Sequence, residues 1–458
     1  MKRYPFRLLI YICILSGVYD IIDRIIAFIK EAEKMNIKQI SNGVTLCTHK
    51  TEQFKTSVVS LNIITPLGEN TSAKALLCYL LARTSKAYSS VIKMNRKLAS
   101  LYGASLSPSV MKIGEAQVLS LCLASIDDRF SINGEKILSE GIELLLSCLF
   151  TPDITPEGFK EENIKREKRL LIEKIESEKD DKRIYALGRM IEEMCRDEVY
   201  GTDKFGTADE ISALTAKDIF DTWKKVLLTC PIQINVTGNF DEAEIEGILK
   251  KYFDNLQRKK EDIIEIRTEF MTESYSQQLV TEKQKVKQGK LVIGMRAGMT
   301  YDFDNFPAIK LMTAIFGSGT FSKLFMNVRE KMSLCYYCSA RLINTKGLIV
   351  VESGVETENS EKALEAIRHE LEDVRKGNFT DETISNAKLS LKDMYKSVSD
   401  SVGSIDSWFT MNCLAGKFRT PDEIAELIEG VSREEIILAA NMVTEDTVFI
   451  LESEKEAE

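Results

Sequence analysis

Apolar and polar positions alternate with strand period from the first third of the chain onward. "IKQISNGVTLCTHK" reads as a hairpin with Asn42-Gly43 at its turn, and "TSVVSLNIIT" (56–65) as the next strand. The period then becomes helical. "TSAKALLCYLLART" (71–84), started by Thr71 or Ser72, is apolar nearly all round, which predicts a buried helix. "SVIKMNRKLASLY" is a second helix ending at Gly103, "AQVLSLCLAS" a strand, and "GEKILSEGIELLLSCLF" a third helix. A long helix follows from about Pro156 to Asp180, with Ile164, Leu171 and Ile175 inward and the pairs Glu161–Lys165 and Glu162–Arg166 on its wet face. The helix "TAKDIFDTWKKVL" and the strand "PIQINVTG" close the segment.

The second half repeats this order. The strand "KLVIGMRAG", a helix near "FPAIKLMTAIF", a glycine turn and the helix "SKLFMNVREK" lead to the strands "LCYYCSARLI" and "GLIVVESGV", then to the helix "SEKALEAIRHELEDVRKG". "LTAKDIFDTWKKVLLTCPIQINVTG" is answered by "VSREEIILAANMVTEDTVFILES". The expected fold is α+β, built as two diverged copies of one unit of roughly 200 residues. The expected bounds are 35–255 for the first domain, 256–285 for a polar linker and 286–458 for the second domain.

Residues 1–34 stand apart. "MKRYPFRLLIYICILSGVYD" has a charged start and an apolar run too short for a comfortable span, with no small-x-small cleavage site after it. An amphipathic stretch follows, and the folded pattern begins at Met35. We read 1–34 as an extension ahead of a true start at Met35, with a weak anchor as the alternative.

Composition narrows the function. Of 458 residues, 44% are hydrophobic and 29% charged, as in a globular protein. A net charge of -9 argues against nucleic acid as the main partner, since phosphate contacts need a basic surface. Ten cysteines, mostly inside apolar runs, read as buried thiols of a cytoplasmic protein rather than a disulfide framework. Cys335 and Cys338 in "CYYC" form the tight pair; on a regular strand an odd separation points them to opposite faces, which favours a structural role.

The string "SGTFSKLFMNVREKMSLCYY", set in the second of two α+β halves, resembles the pitrilysin/insulinase metallopeptidases, over nearly everything from Met35 onward. "ISNGVTL", the helix at 73–84 and "EKRLLIEKIESEKDDKRIYALGRMIEEMCRDEVYG" are more similar to the YmfF-type bacterial branch, described as associated with aminopentanol modification of elongation factor P. The resemblance implies two pitrilysin-like domains forming a half-clamshell. In active members a His-x-x-Glu-His motif sits on the first helix after the first strands. Two imidazoles one turn apart bind zinc while the glutamate between them deprotonates the bound water. Here the matching helix reads "ALLCYLLA", with Leu76 and Leu80 at the histidine positions and Tyr79 at the glutamate. Glu173 in "LLIEKI" corresponds to the third ligand and cannot hold zinc alone.

The chain has two histidines, His49 and His369, so no such motif can be written anywhere. Each reads as a surface or capping residue. No Gly-x-Ser-x-Gly elbow, phosphate loop or cofactor box appears. Catalytic residues, metal ligands and cofactors are therefore expected to be absent.

In active relatives an Arg and a Tyr seven residues apart reach the substrate beside the scissile bond. Arg329 and Tyr336 reproduce that spacing, and a guanidinium and a phenol together can grip peptide carbonyls. Gly317 and Gly319 would let a backbone approach. The plain alternative pairs Arg329 with Glu330 and sends Tyr336 into the core. In some bacterial members zinc is carried by one subunit and the Arg/Tyr pair by another. The expectation is an inactive homologue that grips a peptide as one subunit of a heterodimer with a zinc-motif partner, with no nucleic acid and no membrane. The alternatives are a stand-alone binding or assembly protein and, less favoured, an active zinc metalloendopeptidase.

Overall fold

The hairpin forms as read: β1 (Met35–Ser41) and β2 (Val44–Lys50) pair antiparallel around Gly43, whose φ of +66° suits glycine. A computed structural model describes residues 35–269, 271 and 278–454. The expectations for residues 1–34 lie outside the described residues. The remaining strands of the first half are β3 (Thr56–Pro66), β4 (Ser105–Ile113), β5 (Ala116–Ile126), the short ribbon β6 (Ile154–Thr155) with β7 (Gly158–Phe159), and β8 (Ile232–Gly238). The first sheet runs β1-β2-β8-β3-β5-β4, antiparallel throughout except for the parallel pair β2–β8.

The second half contributes β9 (Gln278–Gln284), β10 (Gly289–Arg296), β11 (Cys335–Ile343), β12 (Leu348–Val355) and β13 (Thr444–Ser453). Read from β9, that sheet runs β9-β13-β10-β12-β11, again antiparallel except for one parallel pair, β13–β9. This is the order β2-β8-β3-β5-β4 strand for strand, with the parallel pair in the same place. The two halves are one α+β unit twice over.

Three local readings change. β9 lies within the stretch read as linker; exposed at every second position and ending in the polar run Thr281 to Gln284, it shows no alternation of apolar and polar residues. The long helix starts at Glu161, not Pro156, because Pro156 and Glu157 form the turn of the β6–β7 ribbon, continued by Gly158 at φ +122°. Neither Thr71 nor Ser72 caps the buried helix. Asn70 is its N-cap, in the left-handed region, and Thr71 bonds back to the main chain of Gly68.

Each half lends a helix to the other. Ala186, Met190 and Met194 of helix Lys182–Met194 pack on Val292, Leu348, Val350 and Phe449 of the second sheet. Reciprocally, Ile405 and Phe409 of helix Val402–Met411 cover Cys47 on the first. Asp406 of that helix accepts from Ser60 at 2.5 Å and from Asn235 at 3.2 Å, and burial raises its carboxyl above the ordinary range. A buried charge knot adds a second tie. Lys346, fully buried, pairs with Glu115 and, at 2.7 Å, with Glu198; Arg296 links Glu198 at 2.7 Å to Asp446 at 2.9 Å. The knot joins groups of both halves, and removing one partner would leave a buried charge uncompensated.

Candidate functional site

Helix Thr71–Arg83, expected from the resemblance to correspond to a zinc-bearing helix, presents a different face from the one expected. Leu76 and Leu80 are core residues, 0% and 2% exposed. The face lining a cavity of about 370 Å³ carries Tyr79, Ala82 and Arg83, against Glu167 and Lys174 of helix Glu161–Asp180. The cavity-facing set Tyr79, Ala82 and Arg83 keeps the spacing of Leu76, Tyr79 and Leu80 but lies three residues further along a helix of nearly uniform leucines. Arg83 Nε donates to Glu167 at 2.7 Å, and Glu167 is buried. Lys174 Nζ donates to the Tyr79 hydroxyl at 2.9 Å and lies 5.2 Å from the Phe205 ring centroid. Burial, the main influence, raises the Tyr79 phenol above its ordinary value. Glu173 points the other way, exposed and 3.7 Å from Arg169. His49, on β2, and His369, on helix Ser360–Arg375, do not line this cavity. A zinc site needs neutral imidazoles and carboxylates. An ammonium and a guanidinium repel a dication, and the one carboxylate here is taken by Arg83. The donor set does not fit the metal.

The second half offers a different surface. Arg329 sits on a π-helical segment, Leu324–Lys331, a wide turn often found at functional positions. Its guanidinium lies 4.5 Å from the Phe325 ring centroid and 3.6 Å from Glu330. Tyr336 on β11 is 62% exposed, and its hydroxyl donates to Glu356 at 2.9 Å. The expected pairing of Arg329 with Glu330 is thus present, but Tyr336 does not enter the core. Gly319 is exposed, with φ +100°. Gly317 is buried: a Cβ there would stand 2.4 Å from Ala340 Cβ and 2.5 Å from Ala340 N, so this glycine seats its helix on β11.

A β-bulge between Cys335 and Tyr337 breaks the regular alternation of β11. Both thiols therefore turn inward, 9% and 4% exposed, instead of to opposite faces. They hydrogen-bond each other; that bond, helped by Ser353 and the Arg329 charge, pulls Cys335 down to about 7, while Cys338 is pushed well up. Tyr336, at the bulge, turns outward. Among the described residues β11 ends its sheet with β12 as its one strand neighbour, and Ser318 Oγ donates to Ala340 O at 2.7 Å on it.

Two features escaped the sequence reading. His369, Glu370 and Asp373 converge, but Lys323 Nζ stands 3.1 Å from Glu370 and 3.0 Å from Asp373, an internal cation that ties the π-helical turn to helix Ser360–Arg375. The other is a cavity of about 280 Å³ between helix Phe306–Gly317, β11 and helix Asp381–Lys396, with Lys310 in its wall. A single lysine inside an apolar helix pattern gives no sequence signal for it.

The family model described as "Peptidase M16 inactive domain" matches residues 213–391. The chain is 29% identical over 416 residues to "Probable inactive metalloprotease YmfF" of Bacillus subtilis (strain 168), covering 91% of this chain and 97% of that one. It is 25% identical over 199 residues to "Antilisterial bacteriocin subtilosin biosynthesis protein AlbE" of the same organism, covering 43% and 48%. Among solved structures, a conserved protein from Enterococcus faecalis V583 superposes with a TM-score of 0.84 at 28% identity, covering 93% of this chain and 100% of that one. A peptidase M16 inactive domain from Pseudomonas fluorescens gives 0.74 at 16% identity, covering 93% and 100%.

Proposed function

Because this chain belongs to the peptidase M16 (pitrilysin/insulinase) family as a non-catalytic homologue, we propose that it holds a peptide rather than hydrolysing one. The observation that carries the reading is the bulge in β11, an outermost strand, which leaves Tyr336 exposed next to Cys335, whose thiol feels the charge of the half-buried Arg329. An extended peptide adding to that strand would meet the phenol and the guanidinium, with main-chain bonds supplying affinity. Gly319 leaves the approach open, and Gly317 supports the strand from beneath. The similarity of nearly half of this chain to a protein named for bacteriocin biosynthesis agrees with a peptide as the ligand.

The partner in this reading is a homologous subunit bearing His-x-x-Glu-His, the two chains enclosing a peptide between them in the cytoplasm. The link to elongation factor P modification follows from the YmfF-type resemblance. Among the described residues no helix is long and apolar enough to cross a membrane. Affinity purification from the native host is the direct test: a zinc-motif homologue is expected to co-purify in about equal amount, and its absence removes the heterodimer. In the reconstituted pair, Arg329→Ala should lower peptide turnover by about tenfold, the order expected for one lost charge-assisted contact. A stand-alone binding protein would leave turnover unchanged.

A further inference from the structure

Three lysines of this chain are pushed down to about 8 by burial: Lys74, Lys112 and Lys310. Lys74 donates to Pro66 O, and Lys112 donates to Tyr200 O at 2.8 Å and Thr202 O at 3.1 Å. Their hydrogen-bonding needs are met inside the fold. For Lys310 burial is the sole influence; among the described residues no carboxylate or carbonyl offsets it. It is also the one of the three that faces the 280 Å³ cavity beside β11.

The cavity wall is selective. Thr313 Oγ1 donates to Ile309 O at 2.7 Å and Ser318 Oγ to Ala340 O at 2.7 Å, so their protons are committed. Leu342 and Leu391 make the wall apolar. The charged groups facing the space are Lys310 and Arg341, and Arg341 Nε already donates to Glu352 at 3.1 Å. One unanswered positive charge remains. That balance suits a monoanion; a phosphate dianion needs several donors and more charge. The volume suits one side chain or chain terminus, being smaller than an ordinary small-molecule pocket.

We propose that this cavity is a carboxylate-binding subsite, in which Lys310 and Arg341 receive an acidic side chain or the C-terminal carboxylate of a peptide laid along β11. The inference rests on the peptide-holding reading above for its ligand but not for its chemistry. Lys310 is partly buried and, among the described residues, no counter-ion pairs with it, so an entering carboxylate supplies a pairing that the fold withholds.

The test uses the purified full chain and limiting acetic anhydride from about pH 6 to about pH 10, with acetylation of each lysine read by peptide mass mapping. Lys310 should reach half-maximal reactivity near pH 8. Acetyl-Val-Thr-Val-Glu-Val-amide should protect Lys310 and bind about tenfold tighter than its Gln counterpart, the two differing by one ion pair. Acetyl-Val-Thr-Val with a free C-terminus, compared with its amide, separates the terminal from the side-chain source. Lys310→Met should abolish the Glu-over-Gln preference while leaving peptide binding along β11. Equal binding of the acid and the amide forms overturns the subsite and leaves the peptide-holding reading standing. If no peptide binds, sodium acetate decides: protection of Lys310 by acetate upholds the carboxylate site, and its failure overturns it.

Discussion

In the first half, the cavity beside helix Thr71–Arg83 holds two cations, and each is answered from within: Arg83 by Glu167, Lys174 by the Tyr79 hydroxyl and two aromatic faces. In the second half, the cavity in the matching place, walled by the matching helix pair and outermost strand, holds Lys310 without an acid among the described residues. The lining positions even share a spacing, Tyr79, Ala82 and Arg83 in one, Lys310, Thr313 and Ala314 in the other. The same architectural space has been closed electrostatically in one copy and left open in the other. A space that answers its own charges has no need of a ligand.

The comparison breaks most visibly at Glu167. Glu167→Gln leaves Arg83 without its carboxylate in a largely enclosed site, and removing one partner of a buried pair costs about 3–5 kcal/mol. Arg83 keeps 22% of its side-chain surface, so about 3 kcal/mol is expected as a fall in unfolding free energy in urea. A change under about 1 kcal/mol means that water already answers Arg83 and that the first cavity is open too. Next in size is Gly317→Ala, where an added methyl meets Ala340; overpacking of about 2 kcal/mol should appear in the same measurement.

Lys310→Met should have the opposite sign. With its folded value near 8 against an ordinary 10.5, the unfolded chain holds more protons between those limits. Wild-type stability from this group therefore rises as pH climbs through that window, and the cost is fully present below about pH 8. The variant should be more stable by about 1–2 kcal/mol at neutral pH, with a flatter pH profile in the window. A destabilised Lys310→Met would mean that the ammonium is satisfied and that the two cavities do not differ.

What the sequence made legible was the repeated order of elements, because the hydrophobic period marks strands and helices whose burial is strong on one face or on both. β9 escaped because half of this outermost strand is the polar run Thr281 to Gln284, so it lacks an apolar face and looks like a connection. The scarcity of histidine was legible, yet the residues of helix Thr71–Arg83 that face its cavity were not. In "ALLCYLLA" hydrophobicity is uniform, and tertiary packing alone decides that Tyr79 faces the cavity while Leu76 and Leu80 enter the core. Cys335 and Cys338 were misassigned to opposite faces because a bulge, which no residue of "CYYC" announces, shifts the register. Lys310 could not be recognised at all: its isolation is a statement about which acids are not nearby, and that exists only in three dimensions.

The smallest stability effects should fall on the residues with the largest proposed role. Arg329 meets Glu330 at 3.6 Å and Tyr336 meets Glu356 through one surface hydrogen bond, and exposed contacts of this kind contribute about 0–1 kcal/mol. Arg329→Ala and Tyr336→Phe should therefore leave the urea midpoint within about 0.5 kcal/mol of wild type, as for most surface substitutions. The Arg329 guanidinium also helps hold Cys335 near 7, so iodoacetamide labelling of Cys335 should move to higher pH in Arg329→Ala alone. That shift reports the loss of charge at the bulge independently of any ligand. A variant that folds normally, shows the displaced thiol and still binds the Glu peptide like wild type would separate the two second-half features, leaving the Lys310 cavity as the anchor and Arg329 as a bystander. Weakened binding with normal stability would place both on one peptide track along β11.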